Sequence, residues 1–181
     1  PDLRFNNPNI AFIAVDFPAP FGPSIETISP LLTLTEQEEN IYQLTFKSLK
    51  PRAFKKLIEE ASWENLEPEV TLVTRDTELE DLFLVVQGKA EVVLKNGDKK
   101  DIPMGGFIGE QSFITGSTTS ADVSTGAEAT TLLRWKKSSL KNYLNHHETL
   151  KHTFDLILTA DLIFKLRSMD QKQHDVTHSQ I

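Results

Sequence analysis

The feature that most restricts the fold of this 181-residue chain is a change in its hydrophobic period. Up to about residue 61 the apolar residues recur at helical spacing. Between residues 69 and 135 they follow a period of two, in short runs that turn residues separate. Helical spacing returns after residue 138. This order predicts an α+β domain: a small antiparallel β-roll, or jelly roll, flanked by N-terminal and C-terminal helices.

The strand-like runs are rich in Val, Leu and Phe, which favour extended backbone. Asn96-Gly97 between two of them is a strong hairpin signal, because a type I′ turn needs positive φ at both central positions. The predicted strands are residues 69–74, 82–86, 89–94, a short strand around Ile102, and residues 107–108, 121–124 and 130–135.

Helix boundaries are marked by capping residues. The stretch TEQE places Thr35 at an N-cap with Glu38 three residues on, which is the capping-box pattern. Pro51 opens a second helix at a favoured first-turn position. The first helix is predicted to bury Ile41, Tyr42, Leu44, Phe46 and Leu49, and the second Phe54, Leu57, Ile58 and Ala61.

Two more helices are predicted after the strands. The first covers residues 138–144, and the second runs from about Glu148 to Arg167 with an apolar stripe. The stripe is predicted to be core or a dimer face, and it consists of Leu150, Phe154, Ile157, Leu158, Leu162 and Leu166.

The two ends differ in composition from this central domain, residues 34–168. Residues 1–33 contain six of the nine prolines, which exclude a regular helix, together with several Phe and Ile residues. We interpret them as an extended arm that lies on its own domain or on a partner; a fragment of another domain or a linker is the alternative. Residues 169–181 have no apolar pattern and are predicted to be a polar tail.

Charge and composition exclude several functions. The net charge of -7 without a basic cluster argues against a nucleic-acid partner. The chain has no cysteine, which excludes disulfides and thiolate metal sites. We expect an intracellular protein without secretory features, with the organelle open. No apolar run is long enough to span a membrane, so membrane association would need segments absent from this chain, which begins at Pro1.

Catalytic and metal sites are not indicated either. The sequence has no nucleophile elbow or triad-like grouping, so we find no case for an enzyme. His146, His147 and His152 cluster near a helix start without a matching carboxylate, and His174 and His178 lie in the unpatterned tail. Solvated histidines explain both groups better than a metal site.

Three stretches in order resemble the cyclic-nucleotide-binding domain: DLFLVVQGKAEVV, GGFIGEQSFITG and TTLLRWKKSSLKNYL. The resemblance covers roughly residues 35–168, and Gly109-Glu110 matches the pair that opens the family's phosphate-binding cassette. Within the superfamily the chain looks closest to the Popeye-domain branch and its bacterial relatives. The reasons are LTEQEENIYQLTFKSLKPRAFKKLI, Trp63, Trp135 and the residues Phe107, Ile108 and Phe113. In that branch the domain normally follows membrane-spanning helices.

The resemblance implies a regulatory module that binds a cyclic nucleotide, such as cyclic AMP, and moves its C-terminal helix in response. It implies no resident cofactor. A short helix after Gly109 would aim free backbone N–H groups at the phosphate, and Glu110 would accept a hydrogen bond from the ribose 2′-hydroxyl. The tentative ligand-binding residues are Gly109, Glu110, Gln111, Ser112, Thr119 and Ser120.

The cassette departs from the family pattern at two positions. Thr119 aligns with the slot that holds an arginine in ordinary members, and residues 107–133 contain no Lys or Arg. Loss of a desolvated charge pair costs on the order of 2–5 kcal/mol. Asp76 stands where relatives commonly carry glycine. We therefore expect nucleotide binding that is weakened or lost.

Two functions remain open at this point. A nucleotide sensor predicts a basic side chain in the pocket, with Arg75 or Lys89 as candidates. A non-catalytic interaction subunit that keeps the β-roll as a scaffold predicts a pocket plugged by side chains such as Phe113. Either would contact a protein partner or form a homodimer through the 148–167 helix and the arm. A sugar- or acid-binding jelly roll would need convergent histidines and carboxylates on its strands, and none appear.

Overall fold

The computed structural model describes residues 34–177, with side chains described for residues 34–168; the predicted arm lies outside the described residues. Eight strands form two four-stranded antiparallel sheets, with the orders β1-β8-β3-β6 and β2-β7-β4-β5. The α+β β-roll with flanking helices is thereby confirmed. The strands are β1 Ser62–Leu66, β2 Thr71–Val73, β3 Asp81–Gln87, β4 Lys89–Val93, β5 Lys99–Pro103, β6 Phe107–Ile108, β7 Asp122–Thr125 and β8 Thr130–Lys136.

The N-terminal helices begin where their caps predict. In α1, Glu36–Ile41, the Thr35 hydroxyl accepts from the Glu38 backbone N–H, and the Glu38 carboxylate accepts from that of Thr35. The helix continues as a π-helical segment, Tyr42–Phe46. Leu44 in that segment is 55% exposed, so its predicted burial is wrong. The wider π turn changes which side chains face the core. Helix α2 is Pro51–Glu59.

The C-terminal helices are longer than the apolar pattern indicates. Helix α4 is Lys137–Asn145 and α5 is Glu148–Thr177, whereas the short helix α3, Glu110–Thr115, lies earlier in the chain between β6 and β7. Helix α5 therefore continues past the predicted end at Arg167 into the predicted polar tail. Those residues include neither Gly nor Pro, so nothing in them interrupts the backbone hydrogen bonds of the helix. Within residues 34–177, no helix combines the length and the apolar character that crossing a bilayer requires.

Two apolar clusters hold the domain together. The smaller fills the roll between the two sheets and includes Val85, Ile108 and Leu132. The larger joins α1, α2, α4 and α5 to the outer side of the β1-β8-β3-β6 sheet. Trp135 lies at its centre, fully buried, and its indole N–H donates to the Leu57 carbonyl at 2.9 Å. Trp135 is therefore a core residue of the domain.

The hairpin between β4 and β5 forms at Asn96-Gly97, but not with the predicted type I′ turn. Gly97 has φ +85°, whereas Asn96 is not among the residues with positive φ. The Gly97 N–H donates to the Leu94 carbonyl at 3.0 Å, and the Leu94 N–H to the Asp98 carbonyl at 2.9 Å. A three-residue loop with one left-handed glycine satisfies these bonds, so Asn96 needs no left-handed backbone.

Candidate functional site

A cavity of about 600 Å³ opens between the roll, the loop before β6 and helix α5. Its walls are mainly apolar, from β2, β4, β5 and β7 on one side and from Leu162, Phe164 and Leu166 of α5 on the other. All six predicted site residues line this one cavity, together with Thr118: Gly109, Glu110, Gln111, Ser112, Thr119 and Ser120. The structure thus brings these residues together around one pocket.

Gly109 sets the direction in which the cassette leaves the sheet. It precedes α3 with φ +89°, a left-handed conformation that residues with a side chain adopt at a cost. A Cβ at this position would lie 2.4 Å from Leu79 Cδ2. The turn places the start of α3 against the cavity, and Glu110 is 7% exposed.

The Thr119 side chain stabilises a turn of the protein. Its hydroxyl donates to the Thr74 carbonyl at 2.6 Å and accepts from the Thr77 backbone N–H at 3.1 Å. The Asp76 N–H donates to the Thr119 carbonyl at 2.9 Å. Asp76 has φ +58°, so it adopts the left-handed conformation that a glycine in its place would favour. Position 119 therefore contributes a neutral side chain that is already hydrogen-bonded.

Glu110 is neutralised by Lys165, a residue of α5 that sequence reasoning missed. Lys165 Nζ lies 2.8 Å from Glu110 Oε1 and 2.6 Å from Asp161 Oδ2. The same ammonium donates to the Phe107 carbonyl, and the Phe107 N–H donates to Asp161 Oδ2 at 3.4 Å. These bonds fasten α5 to the cassette. The one sequence signal was Asp161 and Lys165 four residues apart on one helix face.

Arg75 and Lys89 do not enter the cavity, and this part of the prediction is wrong. The Arg75 guanidinium lies 3.2 Å from Asp122 and donates to the Val93 carbonyl, while Lys89 pairs with Asp101 at 2.7 Å. Each side chain pairs instead with a carboxylate on a neighbouring strand. Among the described residues, the cations that line the cavity are Lys95, Lys100 and Lys165.

Phe113 does not plug the cavity. It is 5% exposed and belongs to the larger core cluster, where its ring meets Phe154 edge-on at 6.2 Å. The remaining polar residues of the cassette bond to one another. Ser120 donates to the Gln111 side chain at 3.1 Å, and Ser112 donates to the Ser117 carbonyl at 2.7 Å.

The histidines near α4 behave as ordinary helix-end residues. His146 and His147 lie with Nδ1 at 2.7 and 2.9 Å from the carbonyls of Asn142 and Tyr143. In the part of the chain that the structure describes, no group of His, Asp and Glu side chains has the arrangement of a metal site.

Residues 63–147 match the family model described as the cyclic nucleotide-binding domain. Among solved structures, the chain is similar to a cyclic nucleotide-binding domain from Methylobacillus flagellatus, with 17% identity and a TM-score of 0.64 over 75% of this chain and 83% of that one. It is also similar to Thermus thermophilus catabolite activator protein, with 19% identity and a TM-score of 0.58 over 74% and 62%.

A third similar structure is the regulatory domain of Toxoplasma gondii PKA with cAMP, with 22% identity and a TM-score of 0.51. That alignment covers 59% of this chain and only 43% of the Toxoplasma chain. No curated protein matches the sequence. Residues 63–147 thus match the model of the predicted domain, and the chain shares its fold with these solved structures.

Proposed function

We propose that this cyclic nucleotide-binding domain is a non-catalytic regulatory module of the Popeye-like type, which binds a cyclic nucleotide weakly. The observation that carries the proposal is the cavity of about 600 Å³, with all six predicted site residues on its wall and a neutral threonine in the arginine slot. A cavity of this size is in the range of small-ligand sites. Its apolar walls suit a purine, and its polar end suits a phosphate.

The proposed ligand contacts follow the cassette. The first N–H groups of α3 have no partner within the helix and would meet the phosphate together with the Ser112 and Ser120 hydroxyls. Glu110 would accept from the ribose 2′-hydroxyl. Because Lys165 occupies the same carboxylate at 2.8 Å, a bound ribose would compete with the bond that fastens α5. Ligand binding would therefore shift the position of α5.

Affinity is expected to be low because, among the described residues, those that line the cavity include no arginine to form a bidentate pair with the phosphate. Calorimetric titration with cyclic AMP and cyclic GMP should give a dissociation constant of roughly 0.1–1 mM for the unaltered protein. Thr119→Arg should tighten binding by about tenfold, since it restores a charge-assisted pair. Glu110→Ala should weaken binding, because the ribose loses its acceptor.

Thr118→Arg is the matched control for that titration. It adds the same charge to an exposed neighbour that also lines the cavity, but outside the slot. Tighter nucleotide binding by Thr119→Arg, but not by Thr118→Arg, would support a phosphate bound at position 119. No heat with either nucleotide for the unaltered protein and for Thr119→Arg would contradict nucleotide binding and leave the interaction subunit as the function.

A second candidate function, protein interaction through α5, is favoured by the exposed apolar face of that helix. Leu156 and Ile163 are 57% and 43% exposed, and their spacing of seven residues places them on one face. We propose that a second copy of the chain covers this face, and that the arm of residues 1–33 adds a further contact.

Light scattering across a dilution series tests the homodimer. The unaltered protein should show dimer mass, and Leu156→Glu combined with Ile163→Glu should give monomer mass, because buried carboxylates without partners are costly. Lys151→Glu, which adds a carboxylate to α5 away from this face, should leave the dimer intact. Monomer mass for the unaltered protein at every concentration would refute the α5 dimer.

A further inference from the structure

Lys137 is a half-buried lysine directly behind the cassette. It is the first residue of α4, and its Nζ donates to the Ser112 hydroxyl at 2.8 Å. Among the ion pairs of the described residues, none includes Lys137. Its positive charge thus lies next to the cavity without a directly bonded carboxylate.

The charged groups around Lys137 do not supply the missing partner. Asp81 is the nearby carboxylate, but its Oδ2 accepts from Arg134 at 2.7 Å, and its Oδ1 is buried without a hydrogen bond. Lys141, one turn further along α4, adds a second positive charge. Burial first, and then Lys141, lowers the pKa of Lys137 below that of a free lysine, against a smaller opposite effect of Asp81. An anion placed here would stabilise the ammonium.

Ser112 connects this charge to the cavity. The serine lines the cavity wall, and its hydroxyl oxygen accepts from Lys137 while its proton bonds the Ser117 carbonyl. A small rotation of the hydroxyl would turn that proton toward a ligand oxygen. A ligand oxyanion bonded to Ser112 would lie within about 5.5 Å of Lys137 Nζ. At that separation the two charges attract across a poorly solvated gap.

We propose that Lys137, acting through Ser112, supplies the positive charge for a phosphate group bound in the cavity, in place of the guanidinium that position 119 lacks. The chemistry recognised is a phosphate oxyanion, from a cyclic nucleotide or from inorganic phosphate. The nucleotide form of the inference rests on the proposed function, whereas the anion site itself does not. Lys165 cannot take this role without leaving Glu110 and Asp161.

Two titrations followed by amide NMR test the site, one with inorganic phosphate and one with cyclic AMP. Both should shift the Ser112 and Lys137 amide signals. Lys137→Met should weaken binding of each ligand by about tenfold, since it keeps the apolar stem and removes the charge. Lys141→Met is the matched control on the same helix, and it should change binding by less, because Lys141 Nζ lies over the Phe113 ring.

The pH dependence separates a charge role from a structural one. Binding needs the protonated ammonium, so affinity should fall as the pH rises from neutral through the pKa of Lys137, which burial lowers below that of a free lysine. Lys137→Arg keeps its charge over this range and should bind with a much flatter profile. Of the other groups facing Lys137, Asp81 is held by Arg134, and Lys141→Met shows how much of the profile depends on the Lys141 charge.

Each outcome bears on the inference. The inference is supported if phosphate shifts the amide signals of the unaltered protein and Lys137→Met abolishes these shifts. If cyclic AMP does not bind in that case, only the proposed nucleotide function is refuted. Cyclic AMP binding that Lys137→Met leaves unchanged overturns the inference and keeps the proposed function. Absence of any phosphate shift at Ser112 and Lys137, with no cyclic AMP binding, overturns both.

Discussion

Replacing Phe154 with alanine should lower the free energy of unfolding by about 3–5 kcal/mol. Phe154 is fully buried and joins α5 to the rest of the domain. Its ring lies 6.5 Å from that of Phe46 and meets the rings of Phe107 and Phe113 edge-on at 6.1 and 6.2 Å. Alanine would leave a cavity among three aromatic rings that cannot all move inward.

Urea unfolding followed by circular dichroism measures this loss. Phe164→Ala is the matched control, because the same residue type on the same helix is 69% exposed. It should change the free energy of unfolding by only about 0.5 kcal/mol. If the two variants unfold at the same urea concentration, Phe154 does not anchor α5 as described.

The Gly109→Ala substitution should cost about 2–3 kcal/mol of unfolding free energy. A left-handed backbone costs a residue with a Cβ about 1–2 kcal/mol, and here φ is +89°. The new Cβ would also lie 2.4 Å from Leu79 Cδ2 and 3.2 Å from the Asp81 carbonyl. The leucine end can shift, but the backbone carbonyl belongs to β3, so part of the strain remains.

Gly116→Ala, at the other end of α3, separates the backbone cost from the cost of the close contacts. Gly116 also has positive φ, +72°, but a Cβ there would meet nothing within 4 Å. Thermal unfolding of both variants should show the smaller loss for Gly116→Ala, limited to the backbone cost of about 1–2 kcal/mol. Equal losses would mean that the close approach of Leu79 and Asp81 adds nothing.

The fold was predictable where local signals and tertiary packing agree. The capping box at Thr35, Pro51 at a helix start and the period-two runs of β3 and β8 each correspond to an element in the structure. Strand β1 was not predicted because SWENL carries polar residues and is mostly exposed. It is an edge strand that pairs only with β8, so no apolar alternation marks it.

The site was predictable only where its residues are contiguous in sequence. Residues 109–112 and 118–120 of the cassette lie together on the wall of the cavity. Lys165 comes from 55 residues beyond Glu110, and only the packing of α5 brings the two together. The prediction that Arg75 or Lys89 supplies a cation to the cavity was wrong for a related reason. Their carboxylate partners, Asp122 and Asp101, are on neighbouring strands, and sheet register decided the pairing.

The length of α5 gives the Lys165 contact a mechanical consequence. Leu158 is fully buried and can serve as a pivot, and the helix continues from there to Thr177 as a rod of about 28 Å. Lys165 lies about 10 Å along that rod. A displacement of the helix at Lys165 is therefore multiplied about threefold at Thr177. Release of the bonds that Lys165 and Asp161 make to Phe107 and Glu110 would therefore move the C-terminal end of α5 farther than the helix moves at the cavity.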